Sequence, residues 1–83
     1  MEPKIEDEIF ILNNILSDKQ DYKRKYSSQQ YTYYLNKFES EGLIKLRVKE
    51  ESTDGTFIKF RIKTIIRYRC IEYLDRQKNY SLF

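Results

Sequence analysis

Two alternating runs constrain this chain more than any other feature. Ile44, Leu46 and Val48 alternate with Lys45, Arg47 and Lys49, and Ile58, Phe60 and Ile62 alternate with Lys59, Arg61 and Lys63. In a strand, successive side chains point to opposite faces, so each run predicts one oily face and one basic face. Between the runs lies Glu50-Glu51-Ser52-Thr53-Asp54-Gly55, whose Asp-Gly pair is a strong reversal signal. Residues 44–63 therefore read as a β-hairpin. A lone two-stranded hairpin is marginal in water, so its oily face needs helices to cover it.

The flanks supply those helices. Ile5, Ile9, Leu12 and Leu16 recur at helical spacing, with Ile15 widening the stripe. Pro3 suits a helix entry, the acids at 6–8 favour the positive end of a helix dipole, and Ser17-Asp18 reads as a stop. Residues 28–41 form a second periodic segment, with Tyr31, Tyr34, Leu35 and Phe38 on one stripe. Ser27 or Ser28 suits its N-cap, and Gly42 suits its left-handed end, with Leu43 packing back across that cap. Residues 18–28 are polar and basic, and only Tyr22 and Tyr26 could pack. The pattern leaves a short helix and an ordered loop both open there. The tail from Thr64 to about Lys78 reads as a last helix, on which Ile66, Cys70, Tyr73 and Leu74 share a stripe. Thr, Ile and Tyr also favour strands, so a strand running on through Ile66-Arg67-Tyr68 is the alternative. Asn79 to Phe83 reads as a frayed end or a docking tail.

Composition narrows the function. With 83 residues, 40% of them hydrophobic and 35% charged, the chain reads as one small water-soluble domain. Its longest unbroken apolar run, Ile9–Leu12, is far too short to span a bilayer. No charged-then-apolar leader opens the chain, which points to a cytoplasmic protein. There is no histidine and one cysteine, Cys70. No internal disulfide framework follows from that, no metal site is expected, and the commonest general base is missing. The paired acids Glu50-Glu51 and Glu39/Glu41 lack a partner that would tune them. We therefore expect neither an enzyme nor a cofactor. The absence of alanine, with abundant Ile, Lys and Tyr, suggests an AT-rich genome, as in many mobile elements, low-GC bacteria, and some archaea and their viruses.

Charge points to a partner. Residues 1–18 hold one lysine against five acids, a balance of −4, and residues 19–83 hold fifteen Lys or Arg against eight acids, a balance of +7. A basic body behind an acidic lead-in suggests an anionic partner, nucleic acid first.

Helix, basic connector, helix, Gly42-Leu43-Ile44, basic hairpin, helix is an order that resembles the winged helix-turn-helix superfamily. Residues 28–63 carry the resemblance. Tyr31, Leu35, Phe38 and the run Glu39–Ile44 stand where such domains carry the apolar face of a recognition helix and its entry into the wing. The resemblance implies an α+β fold, α-α-α-β-β-α, in which the hairpin is the wing. Residues 18–27 depart from it: they lack the small apolar residues and the turn glycine of the usual middle helix, which implies a shortened or replaced one.

A recognition helix reads base edges from its N-terminal half. The resemblance thus points to Ser28, Gln29, Gln30, Thr32, Tyr33 and Lys37 as outward contacts to double-stranded DNA. Glutamine can pair with adenine, and Thr or Tyr can touch phosphate or a thymine methyl. Lys23, Arg24 and Lys25 would sit near phosphates, and Lys45, Arg47, Lys49, Lys59, Arg61 and Lys63 would give the wing its electrostatic footprint. A domain this small gains core by pairing, and Ile66, Cys70, Tyr73 and Leu74 on the last helix are the expected homodimer seam. Ile65, Ile71, Leu82 and Phe83 add apolar surface there.

Other readings remain open. Alternating basic residues also serve as a solvated face that discourages sheet-edge aggregation. The same frame could inhibit or recruit a host protein. The hairpin's basic face could bind RNA or single strands, with Tyr33, Phe57 and Tyr68 stacking on bases. Cys70 on an apolar stripe reads as a small buried hydrophobe.

Overall fold

The computed structural model describes residues 3–51 and 58–81, with the backbone alone at 48–51, 58–59 and 79–81. The expected reversal at Asp54-Gly55, Phe57, and the tail residues Leu82 and Phe83 lie outside the described residues. So do the side chains of Lys49 and Lys59. Six elements follow in order: α1 Ile5–Leu16, α2 Tyr22–Lys25, α3 Ser28–Ser40, β1 Ile44–Glu51, β2 Ile58–Ile65 and α4 Arg67–Ser81. The architecture is a small α+β domain of four helices and one antiparallel hairpin.

Helix α1 turns a different edge inward from the one its aliphatic residues suggest. Ile11, Leu12 and Ile15 are buried, together with Glu8 and Asn14, whereas Ile5, Ile9 and Leu16 are only half-covered. The two polar residues explain the rotation, because each has a job inside. Asn14 donates through Nδ2 to the Phe10 carbonyl at 2.9 Å, and its Oδ1 accepts from the Tyr22 N–H at 3.3 Å. Asp21 makes no side-chain cap, so Asn14 supplies from another helix the acceptor that the first turn of α2 needs.

The middle helix exists, and it is a single turn. Tyr22 buries its ring between α1 and α3, with the Tyr31 ring edge-on at 5.6 Å. Ser27 then opens α3 with a reciprocal cap: its Oγ accepts from the Gln30 N–H at 3.2 Å, and its own N–H donates to Gln30 Oε1 at 2.9 Å.

Helices α1 and α3 end in the same motif. Beyond α3, Leu43 N–H donates to the Phe38 carbonyl and Gly42 N–H to the Glu39 carbonyl, with Gly42 at φ +76°. Beyond α1, Lys19 N–H donates to the Asn14 carbonyl and Asp18 N–H to the Ile15 carbonyl, and the left-handed position is held by Asp18 at φ +56°.

The hairpin pairs Ile44 with Ile65, Leu46 with Ile62, Arg47 with Arg61, and Val48 with Phe60. Its register shifts between Lys45 and Leu46 and again between Val48 and Glu50. Lys63 is thus the extra residue on β2, and Lys49 the extra residue on β1. The bulge at Lys63 has a packing consequence. Ile62 and Ile65 are three apart and would face opposite ways in a regular strand, yet both pack against the core.

The expected last helix gives up its first residues to the sheet. Thr64 and Ile65 pair with Lys45 and Ile44, Ile66 N–H donates to the Leu43 carbonyl, and α4 begins at Arg67. Pairing satisfies those β-branched residues better than a first helical turn with open N–H groups would. Arg67 then binds the Leu16 carbonyl at 3.1 Å, closing the C-terminal end of α1. The core gathers Ile11, Leu12, Tyr34, Leu35, Phe38 and Ile44 with Cys70, Tyr73 and Leu74 of α4.

Candidate nucleic-acid interface

Two carboxylates of α1 hold α3 in place and fix which of its faces looks outward. Asp7 accepts from the Tyr26 hydroxyl at 2.8 Å and from the Tyr34 hydroxyl at 3.2 Å. Burial, reinforced by Asp7, pushes both phenols above their ordinary range. Glu8 is buried and pairs with the Lys37 ammonium, while the Tyr73 hydroxyl donates to Glu8 Oε1 at 3.2 Å and accepts from Lys37 Nζ at 3.0 Å. Burial pulls the Lys37 ammonium down, but its hydrogen bonds to Glu8 and Tyr73 more than offset this, and it is held above the usual lysine range. The acidic start of the chain is therefore an internal clamp on α3 and α4.

This geometry reassigns several expected contacts. Lys37 is turned to Glu8 and does not lie outward on α3. The side-chain oxygen of Gln30 is taken by the Ser27 cap, so its amide is not free for bidentate pairing with adenine. Tyr33 is half-buried, with its ring edge-on to Tyr34 at 5.5 Å, and is not an open stacking platform. Lys25 lies over the Phe10 ring, its Nζ 4.2 Å from the centroid. At the α2–α3 corner Lys23, Arg24, Ser28 and Gln29 are exposed, with Thr32 half-exposed beside them; Lys25 and Gln30 are exposed too, but one lies over Phe10 and the other is held in the cap.

On the hairpin, Lys45, Arg47, Arg61 and Lys63 are exposed. Arg47 and Arg61 are direct cross-strand partners. Like charges opposite each other destabilise a sheet, by about 0.2–1 kcal/mol. The sequence holds both arginines, but only the register reveals that they face each other. Among the described residues none of these cations is paired with an acid.

The corner and the hairpin border a common cleft of about 1010 Å³. Lys19, Lys23, Ser28, Gln29 and Thr32 line one side, and Phe60, Arg61 and Ile62 of β2 line the other. Ile15, Tyr22, Tyr31 and Leu35 give it an apolar floor that the sequence reading missed. Its aliphatic lining is Ile15 and Leu35 with Ile62 and Ile65 of β2, and that the last two share a side depends on the bulge at Lys63.

The expected dimer seam is overturned in its details. Cys70, Tyr73 and Leu74 are buried within their own chain, and Ile66 is half-buried. Cys70, Tyr73 and Leu74 therefore have little surface to offer a second copy, and of the four only Ile66 keeps some. Among the described side chains of α4, the large apolar ones exposed are Tyr68 and Ile71, at 66% and 54%. Tyr68 lies beside its neighbour's guanidinium, with Arg69 5.8 Å from the ring centroid. Cys70 donates Sγ–H to the Leu43 carbonyl at 3.4 Å, and burial pushes its thiol above the ordinary range.

Among the described residues no group of three His, Cys, Asp or Glu side chains gathers as a metal site, and no helix is long and apolar enough to cross a membrane. No protein-family model matches this chain, and no curated protein or solved structure does.

Proposed function

We propose that this protein is a sequence-specific double-stranded DNA-binding domain of winged-helix type. It would work in the cytoplasm as a small transcriptional regulator acting by occupancy, without chemistry or cofactor. The observation that carries the reading is the Arg47–Arg61 pair. A hairpin that keeps two arginines opposite each other gives up stability, and an anionic partner offsets that loss. Support comes from the order α1-α2-α3-hairpin-α4, and from the capped start of α3, where Ser28, Gln29 and Thr32 stand beside the cations of α2. In this reading Gln29 takes the base-reading role, because Gln30 is engaged in the cap.

Fluorescence anisotropy with a labelled random duplex and a matched single strand, titrated across salt, tests this. If roughly six phosphates are neutralised, log K falls against log salt with a slope of about −5. Duplex binding of that steepness supports the reading and leads to site selection. Stronger binding to single strands, or none at low salt, refutes it. Analytical ultracentrifugation of the complex gives the number of copies on each site.

A further inference from the structure

Strand β2 has two edges, and β1 occupies one of them. Among the described residues no strand pairs with the other. Such an edge presents a row of N–H and C=O groups without protein partners, a ready template for another chain. Here it borders a half-open cleft. The cleft is lined by Phe60, Arg61, Ile62 and Ile65 of β2 and by no residue of β1, so it lies along this outer edge. Its far wall is the end of α1 with α2 and α3, and its floor includes Tyr22, Tyr31 and Leu35. A third strand laid here would bond its backbone to β2 and press alternate side chains onto that floor.

The charges select the occupant. Arg61 and Lys63 are exposed on β2, and Lys19 and Lys23 are exposed on the opposite wall or beside it. Among the described residues Asp18 is the one acid that lines the cleft. A second copy pairing through its own β2 would set cations against cations, as Arg47 and Arg61 already are. A duplex cannot reach the apolar floor. An extended segment that alternates acidic and apolar residues satisfies the edge, the floor and the rim together.

We propose that the outer edge of β2 takes an extended acidic segment of a protein partner as a third strand. The site does not rest on DNA binding, although Lys23, Ser28, Gln29 and Arg61 belong to both surfaces and would bring the two partners into competition.

The test uses no DNA, so its failure and that of the duplex reading are distinguishable. The probe is a fluorescein-labelled peptide of about six residues, typical of a strand, alternating glutamate and valine. Two further versions carry N-methyl groups on alternate backbone amides, one in each phase, and a fourth replaces glutamate with lysine. Binding of the acidic peptide to the full chain is expected, with amide NMR shifts at residues 60–65. One methylated phase should abolish binding and the other should retain it, because only one set of amides faces β2. Arg61→Glu, checked for folding by circular dichroism, should weaken binding about tenfold. The proposal is overturned if the acidic peptide fails to bind at millimolar concentration. Equal binding of the lysine peptide overturns it as well, and so does full binding of both methylated versions, which needs no protein variant to interpret.

Discussion

Arg47→Glu separates stability from binding in a way few surface substitutions can. Its cross-strand partner is Arg61, and both side chains are exposed. The change converts a like-charge pair into an opposite-charge pair. With each arrangement worth a few tenths of a kcal/mol at an exposed site, the hairpin should gain about 1 kcal/mol. For a domain of this size that raises Tm by about 4–8 °C. Duplex binding should move the other way. One neutralised phosphate is lost, so the salt slope flattens by about 0.9, and affinity falls for every sequence alike. Thermal unfolding and anisotropy on the same preparation measure both. Arg24→Glu is the control, with the same change in net charge but no arginine across a strand, so it should weaken binding without raising Tm. A fall in Tm for Arg47→Glu would refute the repulsion. A rise with unchanged duplex affinity would refute the argument that the repulsion is kept for a polyanion.

Four further outcomes follow from the geometry. Glu8→Ala strands Lys37 and the Tyr73 hydroxyl; because Lys37 can still reach water, the loss should be about 2–3 kcal/mol by urea unfolding, with Glu8→Gln losing clearly less. Asp18→Gly should stabilise by about 0.5–1 kcal/mol, since it relieves a left-handed backbone and removes an anion from a helix C-terminus; a loss of stability would refute this account of the turn. Ser27→Ala should cost about 1 kcal/mol and free the Gln30 side chain, and an unchanged Tm would refute the cap. Alkali should unfold the protein. Tyr22, Tyr26, Tyr34 and Tyr73 are raised above an ordinary 10.0 and Cys70 above 9.0, in each case by burial first, and Lys37 is raised by Glu8 and Tyr73. A folded pKa above the unfolded one stabilises fully below the unfolded value and is lost as pH rises through the folded one. Stability followed by circular dichroism should therefore be flat towards pH 9 and fall beyond it; a flat profile to pH 12 would refute this.

The elements that follow from short-range chemistry were legible in the sequence. The alternation of each strand, the cap before α3, the Gly42 turn and the end of α1 at Ser17-Asp18 all rest on residues within a few positions of one another. What could not be read depends on contacts far apart in the chain. Glu8 and Lys37 look like surface charges until α1 and α3 are packed together. Asn14 looks like a break in an apolar stripe until it caps α2. Helical phase alone turns Lys37, Gln30 and Tyr33 outward; Lys37 and Tyr33 are half-buried by a bond and a ring contact that phase cannot foresee, and Gln30 stays exposed with its amide oxygen engaged in the cap. The seam on α4 failed for the same reason. A helical stripe of Cys70, Tyr73 and Leu74 says that something covers it, and the chain itself supplies the cover. The cleft was hidden because the bulge at Lys63, which brings Ile62 and Ile65 to one side, leaves no mark on a strictly alternating run.

These hidden contacts also change what the net charge means. A total of +3 is modest for a chain that binds a polyanion. Yet not every acid stands on the surface to oppose the cations. Glu8 is internal, Asp7 is half-covered beneath two tyrosines, and Glu39 accepts the Leu46 N–H at 2.7 Å where β1 leaves α3. Each of these carboxylates secures a junction between elements. Most of the cations at the α2–α3 corner and on the hairpin secure none and stand in water. Three acids thus set the frame, while Glu6, Asp18, Asp21, Glu41, Glu72 and Asp75 stay exposed among the cations. Both the duplex and the acidic strand draw on the exposed cations, and Arg61 belongs to both surfaces.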